Sequence, residues 1–164
     1  MSDSPISRVA DEALVRAVEG AAFCAWPALE QRDDAGWLVR MAEGYTKRAN
    51  SVTPLGPGEP NLQAHVARCE AVYRARGLPP IFRLVGPLAP QGLDPLLAAR
   101  GYDRVDPTLV LAAPLAELKI PESRHFLRLE HEIPGWLGAY QQVLGTPLPQ
   151  AAHGRILAAV EGRT

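Results

Sequence analysis

The sequence predicts an α/β fold: a mixed sheet, antiparallel at first and parallel after a helical crossover, with helices on both faces. Three observations carry this. Gly36 to Glu43 alternates, with Trp37, Val39 and Met41 on one side and Leu38, Arg40 and Ala42 on the other. A short turn leads to a second strand-like run, Lys47 to Thr53, so the two pair antiparallel. A helix from Asn61 to Arg76 then separates that run from Ile81 to Val85, the spacing of a crossover that returns a parallel strand.

The elements follow in order. Ser7 to Trp26 reads as a helix capped by Ser7 and stopped by Pro27, with Val9, Ala13, Ala17, Ala21 and Cys24 inward and Arg16 and Glu19 outward. The polar stretch Glu30 to Asp34 reads as a turn, and Gly44-Tyr45 as another. Leu55 to Pro60 is loop. Asn61 caps a helix carrying Leu62, Val66, Cys69, Val72 and Tyr73, and Gly77 stops it. Asp94 caps a short helix with Pro95 at its first position, ending at Gly101. Tyr102 to Ala112 reads as a strand bent at Asp106-Pro107. Residues 113–123 form a linker. A strand at His125 to Leu129 and helices at Pro134 to Leu144 and Gln150 to Val160 follow. The organisation expected is one unit over 1–112 and the opening of a second over 124–164.

Composition excludes several classes. A chain of 164 residues can bury a good core. A net charge of −1 gives no footprint for nucleic acid or an anionic membrane. No run is long and apolar enough to span a bilayer, and Met1 to Ser7 has no signal-peptide pattern, which points to the cytoplasm. Cys24 and Cys69 sit among apolar neighbours and read as two buried thiols. His125, Glu130, His131 and Glu132 fit no zinc spacing, and His65 and His153 are expected to face solvent. No serine lies in a nucleophile elbow.

Val52-x-Pro54, the helix to Arg76-Gly77, the strand Ile81 to Val85 and Leu96-Leu97-Ala98-Ala99-Arg100-Gly101-Tyr102 together resemble the GNAT superfamily of N-acyltransferases. The resemblance covers Gly36 to Leu111. It is nearest to the degenerate amino-terminal half of two-half bacterial acetyltransferases, through Gly36-Trp37-Leu38-Val39-Arg40, Gly44 to Val52 and Tyr73 to Pro79. It implies acetyl-CoA as cofactor and a small amine as acceptor for the family. The family grips pyrophosphate with a glycine-rich loop at a helix N-terminus. Here Pro57, Pro60 and Leu62 occupy the positions of its arginine and two glycines, Glu59 adds a negative charge, and Leu97 replaces the family's proton-donating tyrosine. The expectation is a chain that supplies scaffold and part of the acceptor pocket of a longer acetyltransferase but does not bind acetyl-CoA itself.

Candidate acceptor-pocket residues are Trp37, Tyr45, Arg48 and Asn50, with Thr46 and Ser51 beside them. Arg48 would clamp an anion, and Asn50 would donate and accept hydrogen bonds. No catalytic residue is assigned. The partner expected is a missing carboxy-terminal half or a second copy. The apolar faces bearing Trp136, Leu137, Leu157 and Val160 should be exposed without one. The competing reading is a non-catalytic ligand-binding or dimerisation module.

Overall fold

A computed structural model describes residues 11–112, 114, 116, 132–145 and 150–160. Three antiparallel strands, β1 (Glu30–Asp34), β2 (Trp37–Met41) and β3 (Val52–Pro54), lie side by side in chain order. Around them are α1 (Glu12–Ala25), α2 (Leu62–Arg74), α3 (Leu93–Ala99), α4 (Ile133–Leu144) and α5 (Gln150–Ala158).

β1 is an addition to the expected topology: the polar stretch read as a turn is a strand, paired from Glu30↔Met41 to Asp34↔Trp37. Its hairpin turn puts Ala35 and Gly36 at φ 51° and 80°. Two such residues match the right-handed twist of the strands, and Asp33 Oδ1 braces them by accepting from Gly36 N at 3.1 Å. β3 is shorter than expected, because Lys47–Ala49 forms a 3₁₀ turn instead of strand. The predicted strand Ile81 to Val85 contracts to one parallel bridge. Val52 N donates to Ile81 O and Arg83 N donates to Val52 O, both at 2.8 Å, making the isolated pair Val52↔Phe82.

α2 fits its sequence signals. Asn61 accepts from Ala64 N at 3.1 Å, and Gly77 at φ 67° ends the last turn while Leu78 N returns to Tyr73 O. α1 begins later than expected, capped by Asp11; Ser7 lies outside the described residues. Its inward face also differs. Val18, Glu19, Ala22, Phe23 and Trp26 turn toward the sheet, while Ala13, Ala17, Ala21 and Cys24 are exposed. α3 is capped by Gly92 at φ 85°, not by Asp94. Residues 103–112 form no strand and make no backbone–backbone hydrogen bond among the described residues. The expected strand at His125 to Leu129 lies outside the described residues.

The main core lies between one sheet face and α2 and α3. Trp37, Val39, Met41 and Val52 meet Val66, Cys69, Tyr73, Leu93 and Leu97, and Tyr73 Oη donates to Arg40 O at 2.7 Å. Each large side chain withdrawn from water there contributes roughly 1.5–3 kcal/mol. α1 covers the opposite face, where Arg40 reaches the carbonyls of Phe23 and Trp26. A second, small cluster joins Ala42, Ala49 and Ile156 of α5. In the last helices Trp136 is exposed as expected, Leu137 and Ile156 are buried, and Leu157 and Val160 are half-buried. No described helix is long and apolar enough to cross a membrane.

Candidate functional site

Asn50 builds the turn that presents the site. Its Oδ1 accepts from Ala42 N and Gly44 N at 2.8 and 2.9 Å, and its Nδ2 donates to Tyr45 O and Thr46 O at 2.7 and 2.8 Å. This network holds Glu43 and Thr46 at φ 54° and 59°, conformations that a branched side chain such as threonine rarely adopts. The strained turn lifts the Tyr45 ring off the sheet toward α5.

There Tyr45 Oη sits 2.8 Å from His153 Nδ1. The imidazole is 3% exposed, and its Nε2 has no hydrogen-bond partner among the described residues. Trp26, Tyr45, Trp136 and Tyr140 surround it with ring centroids 5.2 to 6.0 Å away, and Trp136 stacks on Tyr140 at 4.8 Å. Trp26 Nε1 donates to Thr46 Oγ1 at 3.0 Å, tying this wall to the turn. Burial pushes the His153 pKa down. Burial, and then the neighbouring Tyr140, push that of Tyr45 up. Both shifts favour the neutral forms, so a neutral phenol–imidazole pair stands at neutral pH, one member half-exposed and the other shielded. Such a pair can accept a proton from a bound group at the phenol oxygen and pass one to the ring.

Of the expected pocket residues, the structure brings Tyr45 and Thr46 to this place, with Asn50 beneath them. Trp37 is on the other face of the sheet, wholly buried and stacked on His65 at 3.9 Å. Arg48 is exposed, and its carbonyl accepts from Arg40 Nη1 at 2.9 Å. The buried arginine is thus Arg40, not Arg48. Trp26, Trp136, Tyr140 and His153 were not anticipated. His153 and His65 were expected in solvent and are both buried, as is Cys69, whereas Cys24 is exposed. His125 and His131 lie outside the described residues.

The loop at residues 55–60 does not fit a nucleotide cofactor. A β-carbon on Gly58, whose φ is +72°, would lie 2.6 Å from Trp37 Nε1 and 2.8 Å from His65 Nδ1, so the loop is pressed onto the core. Trp37 Nε1 donates to Gly56 O at 3.2 Å. The N–H of Glu59 donates to His65 Nδ1 at 3.2 Å, so it does not face a ligand. Pro60 has no N–H, and the Glu59 carboxylate pairs with Arg68. A pyrophosphate would find one anion and few free donors here.

Asp34, His65 and Cys69 offer three ligand atoms within 4.8 Å of one another. The tautomer argues against a metal. His65 Nδ1 accepts from Glu59 N, so the neutral ring carries its proton on Nε2, the atom that would have to bind the ion. Asp34 is already held by Arg68 Nη2 at 2.8 Å and Nε at 3.2 Å, an interaction that lowers its pKa.

The family model described as "Probable histone acetyltransferase Rv0428c C-terminal" matches residues 12–163. The probable histone acetyltransferase Rv0428c of Mycobacterium tuberculosis is 32% identical over 154 residues, which cover 92% of this chain and 44% of that protein. The uncharacterized N-acetyltransferase YobR of Bacillus subtilis is 36% identical over 102 residues, covering 60% of this chain and 39% of that protein. The chain therefore spans less than half the length of either relative. No solved structure matches it significantly.

Proposed function

The chain belongs to the family of the C-terminal region of the probable histone acetyltransferase Rv0428c, among the GNAT acetyltransferases, and on that premise we propose that it is the acceptor-side half of an N-acetyltransferase. The whole enzyme would move an acetyl group from acetyl-CoA to an amine. This chain supplies scaffold and the acceptor pocket around Tyr45. A separate part of the polypeptide, in the length by which the relatives exceed this chain, supplies the cofactor loop.

The observation that carries this reading is the loop at residues 55–60, folded onto Trp37 and His65 with its Glu59 N–H already engaged. A half that lost its nucleotide grip keeps its value to the enzyme as a platform. Tyr45 Oη can then take a proton from the attacking amine as it passes its own proton to His153 Nδ1.

Calorimetric titration tests the reading. Acetyl-CoA added to this chain should give no binding heat, and amide spectra should show no shift at Glu59 or Asn61. Primary amines should instead shift the signals of Tyr45, Thr46 and the Trp26 indole. Acetyl-CoA binding with its phosphates on residues 58–62 would overturn the assignment.

One feature favours the alternative, a module for interaction rather than catalysis. Residues 103–112 are exposed, without backbone partners among the described residues, and carry Leu109 at 90% and Leu111 at 83% exposure. If amines leave the Tyr45 signals unmoved and the chain self-associates through this segment, the interaction reading replaces the acceptor one.

A further inference from the structure

Three buried side-chain atoms on one face of the sheet have no hydrogen-bond partner among the described residues: Arg40 Nε, Ser51 Oγ and Thr53 Oγ1. The register groups them. Leu38 pairs with Thr53 and Val39 with Val52, and Arg40 N donates to Ser51 O at 3.2 Å. Residues opposite each other in an antiparallel pair project to the same side with β-carbons about 5 Å apart, and diagonal neighbours stand about 7–8 Å apart. Arg40, Ser51 and Thr53 therefore share the face covered by α1.

The charges in that layer do not balance. Arg40 is fully buried, and its guanidinium meets only carbonyls, those of Arg48 at 2.9 Å, Trp26 at 2.5 Å and Phe23 at 3.4 Å, and the Phe23 ring at 4.8 Å. No carboxylate touches it among the described residues. Phe82 packs on Trp37, so its neighbour Arg83 projects to the α1 side, where it holds Glu19 of that helix with two hydrogen bonds. The layer thus holds two guanidiniums and one carboxylate, and Arg83 takes that carboxylate. Burial, and then the charge of Arg83, bring Arg40 down to about 10, so it is still a cation at neutral pH. A buried cation without a carboxylate partner, its own Nε–H and two neighbouring hydroxyls all unpartnered among the described residues, calls for a ligand.

We propose that the layer between α1 and the sheet binds one small monovalent anion, held by Arg40 Nε and the hydroxyls of Ser51 and Thr53. Each of the three can donate: the hydroxyl protons rotate to suit, and Arg40 Nε–H is fixed. One negative charge neutralises the layer; two would leave it as unbalanced as it began. A halide and a short carboxylate share this chemistry. Arg83, whose side chain is 32% exposed, marks the margin of the layer, and the neighbouring cleft of about 240 Å³ is lined by Glu19, Val15 and Val18, not by the three donors.

The test is thermal unfolding of the whole chain at constant ionic strength, beginning in a buffer whose only anion is a bulky sulfonate. Chloride, bromide, formate or acetate then replaces it stepwise. The midpoint should rise and saturate with small monovalent anions; a halide-only or carboxylate-only response identifies which source of the shared chemistry the site takes. Thr53→Val and Ser51→Ala should each weaken the apparent affinity about tenfold, the loss of one hydrogen bond to a charged group. Their midpoints in the sulfonate buffer should stay near that of the parent. Arg40 also holds three carbonyls, so the hydroxyl variants are the informative ones. A bromide-soaked crystal should give an anomalous peak beside Arg40 Nε. Midpoints indifferent to the anion, variants that keep the parent affinity, or bromide found only elsewhere would each overturn the site.

Discussion

The two faces of the sheet are built on different principles. The face toward α2 is mainly apolar: Trp37, Val39, Met41 and Val52 pack on Val66, Cys69 and Tyr73, with His65 stacked on Trp37. The face toward α1 buries Arg40, Ser51, Thr53 and Glu19, with Arg83 at its margin. Both bury their central side chains, yet one is held mainly by area and the other by directed polar contacts. Strand alternation reports that two faces exist. It does not report which kind of chemistry fills each.

Truncation should separate the faces most strongly. Trp37→Ala removes the largest fully buried side chain among the described residues, opens a cavity and frees Gly56 O. It should cost about 3–5 kcal/mol in denaturant unfolding. Arg40→Met on the opposite face keeps most of the volume but strips donors from the carbonyls of Arg48, Trp26 and Phe23. It should cost about 2 kcal/mol, mainly the penalty of unpaired acceptors. If Arg40→Met proves the more damaging, the apolar face is not the principal source of stability.

Smaller effects belong to the Tyr45 turn. Tyr45→Phe keeps the ring and removes the hydroxyl bound to His153, so it should cost about 1 kcal/mol. The loss should appear as faster hydrogen exchange in α5 with α2 unchanged. The smallest expected effect is on pH. Burial holds the folded-state pKa of His153 below its ordinary 6.5, so at mildly acidic pH the unfolded chain takes up a proton that the folded chain refuses. The contribution is complete above about pH 6.5 and falls away as pH drops through the folded-state value. Trp26 and Trp136 fluorescence should report α5 loosening on acidification. The groups around the imidazole are the Tyr45 and Tyr140 phenols, with the Glu43–Arg155 ion pair at the rim. His153→Phe should flatten the profile; an unchanged profile would show that another group titrates.

Much of the α2 side was legible because its signals are local. Asn61 and Gly77 mark the ends of α2, and period-two apolar residues mark β2. The α1 side was not. Its helix is rich in alanine, so Ala13, Ala17 and Ala21 formed a plausible stripe, while the true face contains Glu19, whose burial makes sense only with Arg83 64 residues away. β1 carried no alternation because all five residues are polar and none is buried. Glu70 shows the same limit: Arg74 is its neighbour four residues along the same helix, but only the fold brings Arg100 and Tyr102 to it. At the candidate site, Tyr45 was legible as a polar-aromatic residue on a turn. His153 was not, since its 108-residue separation from Tyr45 leaves no trace in local pattern. The four rings around that histidine come from α4, the segment after α1, and the turn.

β1 also decides in which direction the sheet can grow. Its outer rim has no strand partner among the described residues and is flanked by Glu30, Arg32, Asp33 and Asp34, so a neighbouring molecule pairing there would bring strong charges together without an apolar reward. Any extension of the sheet by another chain is steered to the far end, beside the Val52↔Phe82 bridge, where Ile81, Phe82 and Leu84 offer apolar surface along with Asp94, Asp103 and Arg104.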